Sequence, residues 1–133
     1  MPTVQILQRN AHLGAFEKIL VISFQRALLV SAHMLDSKVN VGYLLEQHSL
    51  VTPAEVKFLG GTALLPHWQD ATKDLVDEAH KVGLVVRPWR AHNLEAAKRV
   101  LEAGVDGMTY DDPGELIAHL KETGIRGSAI APA

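Results

Sequence analysis

The sequence predicts an α/β fold built on a parallel sheet. Short apolar, β-branched segments alternate with segments whose apolar residues recur at helical spacing, giving about five strand–helix pairs in the 133 residues. The region 84–116 shows the unit most clearly, with an apolar run at 84–86, a helix from Asn93 to Gly104 and a second apolar run at 105–109. Two strands joined by a helix through such short loops form a right-handed βαβ unit, in which the strands are parallel.

The other elements follow from the same two patterns. In chain order they are a helix over 3–13, a strand over 18–24, a helix over 25–35, a strand over 39–45, a helix from Thr52 to Gly60, a strand over 62–65, a helix over 72–82 and, after the region above, a last helix from Asp112 to about Lys121. The run KILVISF at 18–24 is continuous enough to predict a strand that is buried on both faces. Thr52 and Asp112 each open a capping box, with a glutamate three residues later.

Length leaves two architectures open. A complete (β/α)8 barrel has eight strands and typically about 250 residues, so this chain would hold roughly half of one. An open, doubly wound sheet of five strands fits the same length. We expect one domain over 1–125 and a flexible tail over 126–133, where small residues predominate.

Composition excludes several classes of function. The net charge is −2 with no dense basic block, so we expect neither nucleic acid nor a membrane surface as the main partner. The apolar runs are too short to span a bilayer, and there are no cysteines for a disulfide framework or a thiolate site. No leader is evident at the N-terminus, which predicts a cytoplasmic location.

The loops that follow the strands hold the candidate functional residues, because such loops carry the active sites of parallel α/β proteins. His67 and His92 both follow strands, and with Asp111 they suggest a zinc site as a weaker hypothesis. Asp112 is explained as a helix cap, and we expect Asp106 to bond backbone groups at one end of the sheet.

Four motifs, in this order, resemble the C-terminal part of the glycerophosphodiester phosphodiesterase family. They are Ser23-Phe24 after the first strand, Trp89 after the run VVRP, Gly-Val-Asp-Gly at 104–107 and Asp-Asp-Pro at 111–113. The resemblance implies a partial (β/α)8, TIM-barrel-like parallel sheet corresponding to strands four to eight. It also implies hydrolysis of glycerophosphodiesters to glycerol 3-phosphate and an alcohol, in a family that uses a divalent cation such as calcium or magnesium.

The resemblance assigns a substrate-binding role to Trp89, Phe24, Ser23 and Asp111. For Trp89 a pocket wall and a core-capping aromatic are equally good interpretations, whereas for Phe24 core packing is the favoured one. Ser23 is not expected to act as a nucleophile, because no histidine stands near it in sequence as a base.

The chain also departs from the family pattern. Arg90-Ala91-His92-Asn93 stands where Thr-Val-Asn follows the family's tryptophan, and Tyr110 replaces a threonine. The motifs of the family's strands one to three, which supply its metal ligands and acid–base histidine, do not occur. We therefore assign no catalytic residue and no metal ligand, and leave it uncertain whether the chain is an enzyme.

Three interpretations of function remain. The first is a truncated phosphodiesterase-like hydrolase that is inactive alone and pairs with a complementing N-terminal half or with a second copy of itself. The alternative is a non-catalytic α/β module, either a relic or an interaction domain. A third, weaker interpretation is half of an unrelated phosphate-binding barrel.

Overall fold

The computed structural model describes residues 2–124. The helices are α1 Pro2–Arg9, α2 Ala15–Lys18, α3 Arg26–Leu35, α4 Pro53–Phe58, α5 Lys73–Lys81, α6 Leu94–Ala103 and α7 Pro113–Thr123, with short 3-10 turns at Ala11–Leu13 and Trp68–Asp70. The strands are β1 Leu20–Ser23, β2 Asn40–Leu44, β3 Ala63–Leu65 and β4 Val85–Val86. Within this range no helix has the length and apolar character needed to cross a membrane.

The strands form one parallel sheet in the order β1-β2-β3-β4. Sequential order means that each helix connection returns the chain to the next position along the same sheet. This confirms the predicted α/β class and the partial (β/α)8 arrangement that the resemblance implies. It excludes the doubly wound alternative, in which the strand order reverses.

The two faces of the sheet differ sharply. On one face Val41, Leu64 and Val86 are fully buried against residues of the helices. On the other face Leu20 and Val85 line an open groove of about 610 Å³. The helices therefore cover one face, as in the wall of a barrel. On the other, concave face Ile22 and Val85 are exposed, whereas Ala63 and Leu65 are buried.

The prediction that 18–24 is a strand buried on both faces is wrong. The strand begins only at Leu20, because the preceding residues Ala15–Lys18 form a helical turn after Gly14, whose φ is +78°. Ile22 is 46% exposed on the concave side. A continuous apolar run indicates two buried faces only when both layers are present, and here one layer is absent from the described chain.

The predicted fifth strand at 105–109 does not form as a regular strand. Its backbone still follows β4, since the Asp106 N–H donates to the Val86 carbonyl (2.9 Å) and the Thr109 N–H to the Pro88 carbonyl (3.1 Å). The Val86 N–H, however, donates to the Asp106 side chain at 2.8 Å. A carboxylate thus takes the place of a backbone acceptor, which interrupts the ladder and confirms that Asp106 bonds backbone groups.

The helix boundaries agree with the capping signals. The side chains of Thr52, Asn93 and Asp112 accept N–H groups from the first turns of α4, α6 and α7. The predicted helix 3–13 instead ends at Arg9, and the Asn10 side-chain amide donates to the Ile6 carbonyl at 2.9 Å. The tail 126–133 lies outside the described residues.

Candidate functional site

The candidate site lies at the C-terminal edge of the sheet. Phe24, Leu45, His67 and Trp89 each follow directly or closely after one of the four strands, so all four come to the same edge. Backbone bonds extend the ladder beyond the regular strands: the Trp89 N–H donates to Pro66 O (2.9 Å) and the Trp68 N–H to Trp89 O (3.0 Å). In parallel α/β proteins this edge is where ligands bind.

Trp89 is held by contacts from three neighbouring strand ends. Its indole Nε1–H donates to the Leu45 carbonyl at 2.9 Å, across 44 positions of sequence. The Phe24 ring meets it edge-on at 5.7 Å between centroids, and the His67 ring does so at 4.9 Å. These contacts fix the indole between three strand ends and leave it half-buried.

Ser23 and Phe24 lie at the end of β1. The Ser23 hydroxyl accepts the Gln25 N–H at 2.9 Å, so its proton remains free to donate to another group. Phe24 is 45% exposed, which shows that the favoured interpretation of core packing was wrong. Its ring instead forms part of a surface together with Trp89.

His67 is buried, with only 6% of its surface exposed. Its Nδ1 accepts the Gln69 N–H at 3.2 Å, so the ring proton of the neutral form resides on Nε2. Burial lowers the pKa of His67; Asp70 opposes this shift, and Arg90 adds to it. The ring is therefore a neutral donor at this edge. Sequence reasoning had considered it only as a zinc ligand.

The carboxylates after the last predicted strand have separate roles. The Asp112 side chain accepts the Glu115 N–H at 3.1 Å, as its predicted capping role requires. Asp111 is exposed, and its carboxylate has no hydrogen bond or ion pair with the other described residues. The Tyr110 hydroxyl donates to Glu115 at 3.0 Å, and burial together with this bond raises the pKa of Tyr110 to about 12.

Arg90 follows Trp89 and was noted from the sequence only as a departure from the family motif. Its φ is +65°, in the left-handed region that residues other than glycine rarely adopt. The flanks hold it there: its N–H donates to the Thr109 hydroxyl at 3.2 Å, and its carbonyl accepts His92 Nδ1–H at 3.1 Å. In the sequence, Arg90 was marked only by its departure from the family motif. That departure does not reveal the left-handed backbone conformation of the residue.

The divalent cation that the family resemblance implies does not fit the residues described. Between residues 2 and 124 no group of three or more His, Asp or Glu side chains is arranged to hold a metal ion. His67, His92 and Asp111 accordingly do not form the zinc site considered from the sequence. We therefore derive no step through a metal from these residues.

A sequentially ordered parallel sheet, with helices on one face and an aromatic cluster at its C-terminal edge, defines part of a (β/α)8-type fold. Comparison with known proteins gives the family. The model of the glycerophosphoryl diester phosphodiesterase family matches residues 3–115. The chain therefore belongs to this family, as the sequence motifs predicted.

Individual relatives agree with this assignment. The chain is 29% identical over 109 residues to a glycerophosphodiester phosphodiesterase of Caldanaerobacter subterraneus subsp. tengcongensis, covering 81% of this chain and 44% of that protein. A crystal structure from Silicibacter pomeroyi DSS-3, assigned to the glycerophosphoryl diester phosphodiesterases, has a TM-score of 0.78 and 28% identity, with 90% and 43% covered. The chain thus spans less than half the length of either relative.

A third comparison shows the fold alone. A phosphodiesterase of Oleispira antarctica, solved in complex with its product sn-glycerol-3-phosphate, has a TM-score of 0.69 at 20% identity and covers 77% of this chain and 41% of its own. The fold of the described residues is therefore that of one part of a larger phosphodiesterase barrel.

Proposed function

We propose that this chain is the C-terminal half of a glycerophosphodiester phosphodiesterase, carrying one wall of its substrate pocket and requiring the remainder of the barrel for hydrolysis. The observation that carries the proposal is the edge-to-face pair of Phe24 and Trp89 at the C-terminal edge of the sheet, in a chain of this family. Hydrolysis gives glycerol 3-phosphate and an alcohol.

The wall offers a surface suited to glycerol. The half-buried indole of Trp89 and the exposed ring of Phe24 present apolar surface for the carbon chain. The Ser23 hydroxyl has a proton to donate to a phosphate oxygen. The carboxylate of Asp111, which bonds to no other residue of the range 2–124, can accept a hydrogen bond from a glycerol hydroxyl. These roles are binding roles, and none of the four residues is proposed as catalytic.

The chemical step needs groups that these residues do not supply. In the family resemblance the cation ligands and the acid–base histidine belong to strands one to three, and those motifs do not occur in the 133 residues. Losing the cation alone removes several kcal/mol of transition-state stabilisation, which is about a thousandfold or more in rate. We therefore propose that the chain is inactive alone.

The open concave face supports a partner. Ile22 and Val85 are apolar and exposed on it, and β1 and the segment after β4 end the sheet with backbone groups that could pair. We propose that a complementing N-terminal half covers this face in the active enzyme and that a second copy covers it when the chain is purified alone. A cytoplasmic location stays a proposal, on the composition of the sequence alone.

The test is an assay of glycerol 3-phosphate release from glycerophosphocholine by the purified chain, with calcium or magnesium present. Trp89→Ala is measured beside the wild type, and a full-length glycerophosphodiester phosphodiesterase serves as the positive control. We expect no release by either variant. Metal-dependent release by the wild type that Trp89→Ala abolishes would overturn the proposed inactivity and place a complete site within these residues.

The second candidate function is a non-catalytic interaction module, which the exposed apolar residues of the concave face favour. A ligand-binding experiment distinguishes the phosphodiesterase half from the interaction module. The phosphodiesterase proposal expects glycerol to perturb the Trp89 indole signal in nuclear magnetic resonance spectra, whereas an interaction module gives no such response.

A further inference from the structure

We propose that Arg90 is an anion-binding residue that recognises the phosphate group of the ligand lying on the Phe24–Trp89 wall. The inference rests on the proposed function and adds to it a specificity determinant, at a position where the family motif has threonine. Arg90 was not among the substrate-binding residues predicted from the sequence.

The first argument is the backbone of Arg90. A left-handed φ at a non-glycine residue costs about 1 kcal/mol or more and persists only where the surroundings enforce it. Here both neighbours are locked: Trp89 pairs with His67 across the edge of the sheet, and Ala91 is fully buried and pairs with Tyr110. A glycine would adopt this conformation without strain. The presence of an arginine here therefore points to a role for its side chain.

The second argument is the charge of Arg90. Its guanidinium is exposed and forms no ion pair with any residue of the range 2–124. Arg26 is a useful contrast, since it pairs with Glu55 at 2.8 Å. An arginine that no carboxylate neutralises is free to bind an external anion, for which its fork of N–H donors suits phosphate.

The third argument is the location. Arg90 directly follows Trp89, which pairs with His67 at the edge of the sheet. The charge of Arg90 is near enough to act on the His67 ring, whose pKa it helps to lower. His67 has a neutral Nε2–H to donate, and Arg90 adds a charged donor one residue after Trp89. Asp111 follows Tyr110, which pairs with Ala91, so its negative charge should weaken the binding of a phosphate ester.

The inference is tested with glycerol and glycerol 3-phosphate as separate probes at constant ionic strength. The signal is the Trp89 indole N–H resonance of the full chain, assigned with Trp68→Phe. We expect both probes to shift the wild-type signal, with glycerol 3-phosphate binding more tightly. Arg90→Gly should bind glycerol 3-phosphate about tenfold or more weakly and glycerol as the wild type does.

Arg90→Gly is chosen because it removes the cation and relieves the strain, so we expect its thermal midpoint to equal or exceed that of the wild type. Arg99→Gln is the matched control: Arg99 lies over the Trp68 ring at 5.5 Å, and its loss should leave glycerol 3-phosphate binding unchanged. Arg90→Lys should retain part of the affinity.

Three results would overturn the inference. They are wild-type binding of glycerol 3-phosphate by Arg90→Gly, an equal response of the Trp89 signal to sulfate, and no response to glycerol 3-phosphate beyond that to glycerol. If one of these results is found but glycerol still shifts the Trp89 signal, the Arg90 inference fails and the aromatic wall is supported. If glycerol does not shift the Trp89 signal, the proposed function is refuted independently of Arg90.

Discussion

At the scale of the residue, the environment of His67 decides its chemistry. A histidine after a strand was compatible with a metal ligand, but burial and the hydrogen bond from Gln69 make it a neutral ring with its proton on Nε2. The Trp89 ring beside it further limits contact with water.

The charge state of His67 gives a prediction for pH. Because burial lowers its pKa in the folded chain, the unfolded chain binds more protons below the ordinary value of about 6.5. The stability that neutral His67 contributes is therefore present above about pH 6.5 and is lost as the pH falls through its folded pKa. Nuclear magnetic resonance titration should give a midpoint below the ordinary value and the Nε2–H tautomer.

The matched variant is His67→Gln. Its free energy of unfolding should fall less than that of the wild type between pH 7 and pH 5, because the other six histidines are common to both proteins. A His67 midpoint at or above the ordinary value, or an Nδ1–H tautomer, would contradict the assignment.

At the scale of the element, the Asp106 side chain accepts a hydrogen bond from β4 that a backbone carbonyl of a fifth strand would otherwise accept. Its Oδ2 accepts the Val86 N–H at 2.8 Å and lies 2.7 Å from His80 Nε2. The contact with His80 adds little, since both side chains are more than a third exposed. The bond to the β4 backbone is the larger contribution, because it satisfies an N–H of a buried residue.

We predict that Asp106→Ala lowers the free energy of unfolding by about 1–3 kcal/mol, because the Val86 N–H loses its acceptor. Asp111→Ala is the control: that carboxylate is exposed and bonds to no other described residue, so its loss should change stability by no more than about 0.5 kcal/mol. Urea unfolding measures both, and amide hydrogen exchange should quicken at Val86 in Asp106→Ala alone. Equal effects in the two variants would show that Asp106 does not hold the segment to β4.

At the scale of the whole molecule, we expect the apolar residues exposed on the concave face to govern association with other chains. Ile22, Phe24 and Val85 are exposed on or beside it, although their sequence patterns are those of buried strands. Apolar surface next to free strand edges favours pairing with another chain.

We predict that the purified chain forms a dimer through this face and that Ile22→Glu weakens the dimer by about tenfold or more, since a charge would be buried there. Met34→Glu is the control, because Met34 on α3 is 80% exposed and away from the sheet's open face. Light scattering over a dilution series measures both. A wild-type chain that stays monomeric at every concentration would contradict the prediction.

The sequence by itself determined the alternation of elements and the ends of most helices. These depend on contacts within a few residues, such as the bond from the Ala96 N–H to Asn93 at 2.8 Å. The motifs around Trp89 and 104–113 were also enough to predict the family.

Only the tertiary structure decided which apolar strand residues are exposed, how Asp106 replaces a strand, and where Trp89 and Arg90 are held. The indole of Trp89 is anchored by a carbonyl 44 positions away, and the φ of Arg90 is enforced by partners on other segments. Periodicity reports only a residue's preference for burial and its local neighbours. Whether a second layer covers a strand, or a distant group bonds a side chain, depends on how the segments pack in space.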